Sequence, residues 1–91
     1  MNVKSLSLYH FESCPFCSIT RKAIRKNNLN VELRDIQLDT EYLDDLIIHG
    51  GKAQVPCLLI ERHKARSEWL YESSEIIQFL NNTAGQQKQV A

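Results

Sequence analysis

The chain is 91 residues long, enough for one domain with a small core and too short for two. Its 11 basic and 11 acidic side chains cancel, so no excess charge draws it to nucleic acid or to an anionic membrane. With 43% hydrophobic and 24% charged residues it has the composition of a folded protein, and it holds no apolar run of about 18 residues to span a bilayer.

Residues 1–5 lack the charged start and apolar run of a secretory signal, so the cytoplasm is the expected location. Residues 3–11 read as a first strand. Leu6, Leu8 and His10 alternate with Ser5, Ser7 and Tyr9, and Tyr9 and Phe11 make both faces partly apolar, as in a central strand. A helix is predicted from Pro15 to about Lys26, with Phe16, Ile19, Ala23 and Ile24 on its apolar side. Arg21, Lys22, Arg25 and Lys26 form the other side. They read as a solvated face or, alternatively, as an attraction for an anionic thiol substrate.

The junction between these two elements holds Cys14-Pro15-Phe16-Cys17. Proline suits the first helical position, because its missing N–H would have no partner there. Cys14 then falls at the N-cap, beside unpartnered backbone N–H groups and at the positive end of the helix dipole, which favours thiolate over thiol. Cys17 lies one turn on, on the same face, and can attack a mixed disulfide formed at Cys14. Cys14 is therefore the expected nucleophile and Cys17 the resolving thiol. Half a zinc site is the competing reading of this spacing. It needs four ligands, and Cys57, His10, His49 and His63 follow no ligand spacing, so no metal is expected. A structural disulfide is disfavoured in a chain without a secretory signal.

A second strand is predicted over residues 31–38, with its phase slipping near Asp35. Asp39 or Thr40 caps a second helix with the stripe Leu43, Leu46 and Ile47, and Gly50-Gly51 stops it. Residues 54–60 form a third strand, with Pro56 confined to its beginning or to an edge. Residues 68–71 pair with it as a hairpin across a polar turn. Ser73 caps a last helix bearing Ile76, Ile77, Phe79 and Leu80. Residues 1–83 thus make the domain, and residues 84–91 are expected to be a flexible tail. The order β-α-β-α-β-β-α implies an α/β fold, a four-stranded mixed sheet with helices on both faces. Cys57 reads as a buried core residue, pointing opposite to Pro56, rather than as a third redox thiol.

Three separated motifs within residues 3–82 resemble the glutaredoxins of the thioredoxin superfamily. Cys14-Pro15-Phe16-Cys17 is similar to the family's dithiol motif, which usually has Tyr where Phe16 stands. Val55-Pro56 is similar to its Val-Pro, where the peptide bond is cis and the proline faces the nucleophile. Tyr71-Glu72-Ser73-Ser74, followed by Ile76-Ile77, is similar to the glutathione-binding turn. The turn is closest to the form in the N-terminal domains of glutathione S-transferases and in transferase-like glutaredoxins. The resemblance implies a thioredoxin-like fold, with Cys14, Pro15, Cys17 and Pro56 as the catalytic set.

It also implies glutathione as co-substrate. Val55 would pair its backbone with the cysteinyl part, Ser73 and its helix would hold the γ-glutamyl carboxylate, Glu72 would receive the ammonium, and Phe16 would lie beside the ligand. Against this stands the plainer reading of Ser73 as a helix cap alone. Many family members have Lys where Phe11 stands, which leaves Lys52 or Gln54 for the glycyl carboxylate. The function implied is glutathione-dependent thiol–disulfide exchange by a monomer on disulfide-bonded or glutathionylated proteins. A thioredoxin-like electron donor and an iron–sulfur-binding module are the alternatives. A whole glutathione transferase is not expected, since no room for its helical second domain follows residue 82.

Overall fold

A computed structural model describes the backbone of residues 3–90 and the side chains of residues 3–83. The elements are β1 (Val3–His10), α1 (Pro15–Lys26), β2 (Glu32–Asp35), α2 (Thr40–Asp45) with a π-helical turn (Leu46–Gly50), β3 (Cys57–Arg62), β4 (Glu68–Leu70) and α3 (Ser73–Val90). The expected tail, residues 84–91, falls where no side chain is described, and Ala91 lies outside the described residues altogether.

One sheet carries the order β2-β1-β3-β4. β1 and β2 run parallel, with Leu8 opposite Leu33, and β1 and β3 run antiparallel, with Leu8 opposite Leu58. β3 and β4 form the expected antiparallel hairpin, with Leu58 opposite Leu70. The fold is α/β and thioredoxin-like, and β1 and β3 are its inner strands.

Side-chain alternation splits the core in two. On one face Leu6, Leu8, Leu58 and Ile60 pack with Ala23 and Ile24 of α1 and with Ile76 and Leu80 of α3. On the other, Tyr9, Cys57 and Leu59 pack with Leu46, and Tyr42, Trp69 and Tyr71 lie against them. Arg34 closes the margin of this second face. Its guanidinium lies over the rings of Tyr9 and Tyr42 and donates to Tyr9 Oη at 2.6 Å.

Several boundaries differ from expectation, each for a local reason. β2 stops at Asp35 rather than Leu38, because the Asp35 carboxylate accepts the Gln37 N–H at 2.8 Å and the Leu38 N–H at 3.3 Å and turns the chain. Leu38 is left 86% exposed. β3 begins at Cys57 rather than Gln54, directly after the cis Val55–Pro56 bond, since proline has no N–H to give the ladder.

The buried side of α1 is Cys17, Thr20, Ala23 and Ile24, while Phe16 and Ile19 are 60% and 47% exposed. Thr20 can be buried because its hydroxyl donates to the Phe16 carbonyl at 2.8 Å and so needs no water. In the π-helical turn that follows α2, Leu46 is buried and Ile47 is exposed, the wider turn shifting the expected stripe. Gly51 ends that turn at φ 92, the left-handed position that glycine reaches without strain. Gly50 is needed for a different reason: a Cβ there would run into Tyr71 Oη and sit 3.0 Å from the Trp69 ring.

Candidate redox site

The strand directions bring the three sequence motifs to one end of the sheet. β1 leaves the sheet there at His10 and leads into Cys14. β3 enters there, since Cys57 lies opposite Tyr9, so Val55–Pro56 stands just beyond that pair. β4 leaves there, since Leu70 lies opposite Leu58, and Glu72 and Ser73 follow it directly.

Cys14 is the N-cap of α1, with extended backbone angles (φ −76, ψ 120) and Pro15 as the first helical residue. Its Sγ accepts the Cys17 backbone N–H at 3.3 Å, and its own N–H donates to the Phe11 carbonyl at 3.2 Å. A thiolate at this sulfur meets both a backbone donor and the positive end of the helix. α1 carries no acidic residue in its first turn to oppose that charge. Cys14 is 6% exposed and Cys17 is fully buried, and both are free thiols. Burial first, and then the neighbouring Cys14 sulfur, push the Cys17 thiol up to about 12. Of the two sulfurs, that of Cys14 is thus the nearer to solvent, and that of Cys17 holds its proton the more tightly for its burial.

The remaining expected residues divide. Pro56 is buried, Val55 is half-buried just outside the ladder, and Gln54 is exposed. Glu72 is exposed and Ser73 half-buried. The expectation that Ser73 caps α3 is corrected: the Glu72 carbonyl accepts the Ile76 N–H at 2.9 Å, so Glu72 holds the N-cap place and Ser73 is the first helical residue. Phe16 projects into solvent one residue beyond Pro15, instead of packing into the core. Lys52 places its ammonium 5.1 Å from the centre of the Tyr71 ring.

Cys57 is fully buried on the opposite sheet face, beside Tyr9 and Leu59, and burial pushes its thiol up to about 12. The Tyr71 hydroxyl is close enough to favour the Cys57 thiolate slightly, but it makes no well-formed hydrogen bond. Among the described residues, no group of three or more His, Cys, Asp or Glu side chains could hold a metal ion. Among them too, no helix is long and apolar enough to cross a membrane.

One contact was not anticipated from the sequence. Arg21, placed on the solvated side of α1, turns back to the chain before Cys14. Its Nη1 lies 3.0 Å from His10 Nδ1 and donates to the Phe11 carbonyl at 3.4 Å, and its Nη2 donates to the Glu12 carbonyl at 3.2 Å. The available signal was its spacing of four residues from Cys17, which puts both on one side of the helix. Burial first, and then the Arg21 charge, hold His10 below the usual histidine range, so its Nδ1 is free to accept.

Comparisons with known proteins agree with this geometry. A family model described as Glutaredoxin matches residues 6–64, well over half of the chain. No curated protein matches. Among solved structures, a thioredoxin-like protein is similar at TM-score 0.65 and 18% identity, covering 84% of this chain and 99% of that one. A glutathione transferase Omega 2S from Trametes versicolor is similar at TM-score 0.70 and 19% identity, over 92% of this chain and 38% of that one. A maleylacetoacetate isomerase from Anaeromyxobacter dehalogenans, solved with glutathione in its active site, is similar at TM-score 0.69 and 21% identity, over 93% of this chain and 40% of that one. This chain therefore spans about two fifths of the transferase and of the isomerase.

Proposed function

The chain belongs to the glutaredoxin family, and on that premise we propose that it is a glutathione-dependent thiol–disulfide oxidoreductase. The observation that carries this reading is the capped Cys14 sulfur, held by the Cys17 N–H at the sheet end where Val55–Pro56 and Glu72–Ser73 also stand. The glutathione bound in the similar isomerase supports the choice of thiol.

In this reading the Cys14 thiolate attacks one sulfur of a protein disulfide or of a glutathionylated thiol. An S–S bond forms to Cys14, the substrate S–S bond breaks, and the departing sulfur takes up a proton. Cys17 then attacks Cys14 Sγ and releases the second thiol, or, where Cys14 carries glutathione, a second glutathione thiolate attacks the glutathione sulfur, frees Cys14 as the leaving thiolate and departs as glutathione disulfide. The first route leaves a Cys14–Cys17 disulfide, which two glutathione molecules reduce, themselves becoming glutathione disulfide. Glutathione would lie along the Val55 backbone as an added strand, with its γ-glutamyl carboxylate at the α3 N-terminus. Ser73 and Glu72 would receive the γ-glutamyl end, and Lys52, Gln54 and Phe16 would border the rest.

The test is glutathione-dependent reduction of a small glutathione mixed disulfide, coupled to glutathione reductase and NADPH. Cys14→Ser is expected to abolish turnover. Cys17→Ser is expected to keep deglutathionylation and to lose reduction of protein disulfides. No turnover by folded protein with a reactive Cys14 would refute glutathione as the reductant and leave Glu72-Ser73 as a helix start only.

A further inference from the structure

We propose that Arg21 is a positioning residue for the resolving step, tying the Phe11–Glu12 turn to α1 so that Cys14 stays within reach of Cys17. The inference rests on the redox reading of these two cysteines. Its basis is the path of the bonds. Phe11 contributes one carbonyl to two donors, the Cys14 N–H at 3.2 Å and Arg21 Nη1 at 3.4 Å. Arg21 Nη2 fixes the next carbonyl, that of Glu12, and His10 Nδ1 holds the same guanidinium from the end of β1. The turn carrying the nucleophile is therefore pinned from the helix that carries the resolving thiol.

Helical side chains lean toward the N-terminus, so Arg21 covers the turn of α1 that holds Cys17. Its charge favours a thiolate at Cys17. The other groups facing Cys17 are the Cys14 thiol and the Phe11 backbone. Those facing His10, besides Arg21, are Asp35 at the end of β2 and Glu12 in the turn itself.

In the resolving step the Cys17 thiol gives its proton to solvent, and its sulfur attacks Cys14 Sγ. The Cys14–Cys17 bond forms, the bond from Cys14 to the substrate sulfur breaks, and the leaving sulfur is protonated. Opening of the pair must expose Cys17 without letting the Cys14 turn drift, and that is the part Arg21 plays.

The reaction of reduced protein with excess dithiobis(nitrobenzoate) reads the two sulfurs separately. The first thionitrobenzoate released reports attack by Cys14. The second, independent of reagent concentration, reports attack by Cys17 on the mixed disulfide. In Arg21→Met the second rate is expected to fall about tenfold relative to the first, the loss of a charge-assisted tie. The midpoint of its pH profile should also rise. Arg21→Lys should keep the midpoint, because the charge remains, and regain only part of the rate, because the fork is lost.

An unchanged ratio in Arg21→Met overturns the proposal. So does a lower ratio with an unchanged midpoint, which would make Arg21 a structural residue only. If Arg21→Met does not fold, as its circular dichroism would show, Arg21→Gln against Arg21→Lys carries the test, and equal midpoints overturn the inference. Failure of the underlying redox reading looks different: no first phase, or a second phase that survives in Cys17→Ser.

Discussion

Cys57 is a buried acid with no redox task in this scheme, and its burial has a measurable cost in alkali. The folded protein holds its thiol proton up to about 12, whereas the same thiol in an unfolded chain loses it near 9.0. The folded state thus binds this proton more tightly. The stability it contributes is full below the unfolded value and is lost as pH rises toward the folded one. At about pH 10 the unfolded thiol is mostly ionised and the folded one is not, a difference of roughly 1 to 2 kcal/mol.

The assay is urea unfolding at about pH 7 and about pH 10, under reductant, of the wild type and of Cys57→Ala. The variant loses packing at both pH values, so only the difference between them counts. The wild type should lose roughly 1 to 2 kcal/mol more than the variant on going to the higher pH. Cys17, Tyr9 and Tyr71 are raised as well, each by burial first, and soften both proteins, but Cys57 is a further cause of the Tyr9 and Tyr71 shifts, so the measured difference includes the part of theirs that Cys57→Ala relieves. Equal alkaline losses in the two proteins would refute the placement of Cys57 as an ionisable group sealed between Tyr9 and Leu59.

Gly50→Ala should destabilise by about 1 to 3 kcal/mol through the clash with Tyr71 and Trp69, seen as a lower Tm. Gly50→Ala combined with Tyr71→Phe should recover part of that loss in the same melt. Leu58→Ala removes a fully buried side chain from the face shared with α1 and α3 and should cost about 2 to 5 kcal/mol in urea unfolding. His10 is held below the histidine range, so its contribution is present above the unfolded value of 6.5 and is lost as pH falls through its folded value. His10→Gln should therefore flatten the acid limb of the stability curve, measured by denaturation from neutral to mildly acidic pH.

The sequence carried the fold because its signals were local. Proline after Cys14 marks the start of α1, Gly50-Gly51 marks the end of the second helical segment, and the apolar run after Pro56 marks an inner strand. The dithiol and its position at a helix start were legible for the same reason. The face of α1 was not, since a buried threonine satisfied within its own helix looks polar in the sequence, whereas Phe16 and Ile19 look like core and face solvent. The Asp35 turn was visible only as a slip in phase. The tie from Arg21 to His10, Phe11 and Glu12 depends on a side chain folding back across the end of a strand, and no residue pattern encodes that direction by itself.

The gathering of the three motifs at one sheet end also affects how the protein matures. The dithiol unit is continuous in the chain, from β1 through its turn into α1. The Glu72–Ser73 turn reaches that end only after β3 has paired with β1 and β4 with β3, contacts that close long loops and form late. A chain caught between these stages carries the Cys14-Pro15-Phe16-Cys17 unit without the two segments that flank it in the finished fold. In the proposed reading such a chain would exchange with whatever disulfides surround it, so the hairpin of β3 and β4 guards the chemistry as well as completing the sheet.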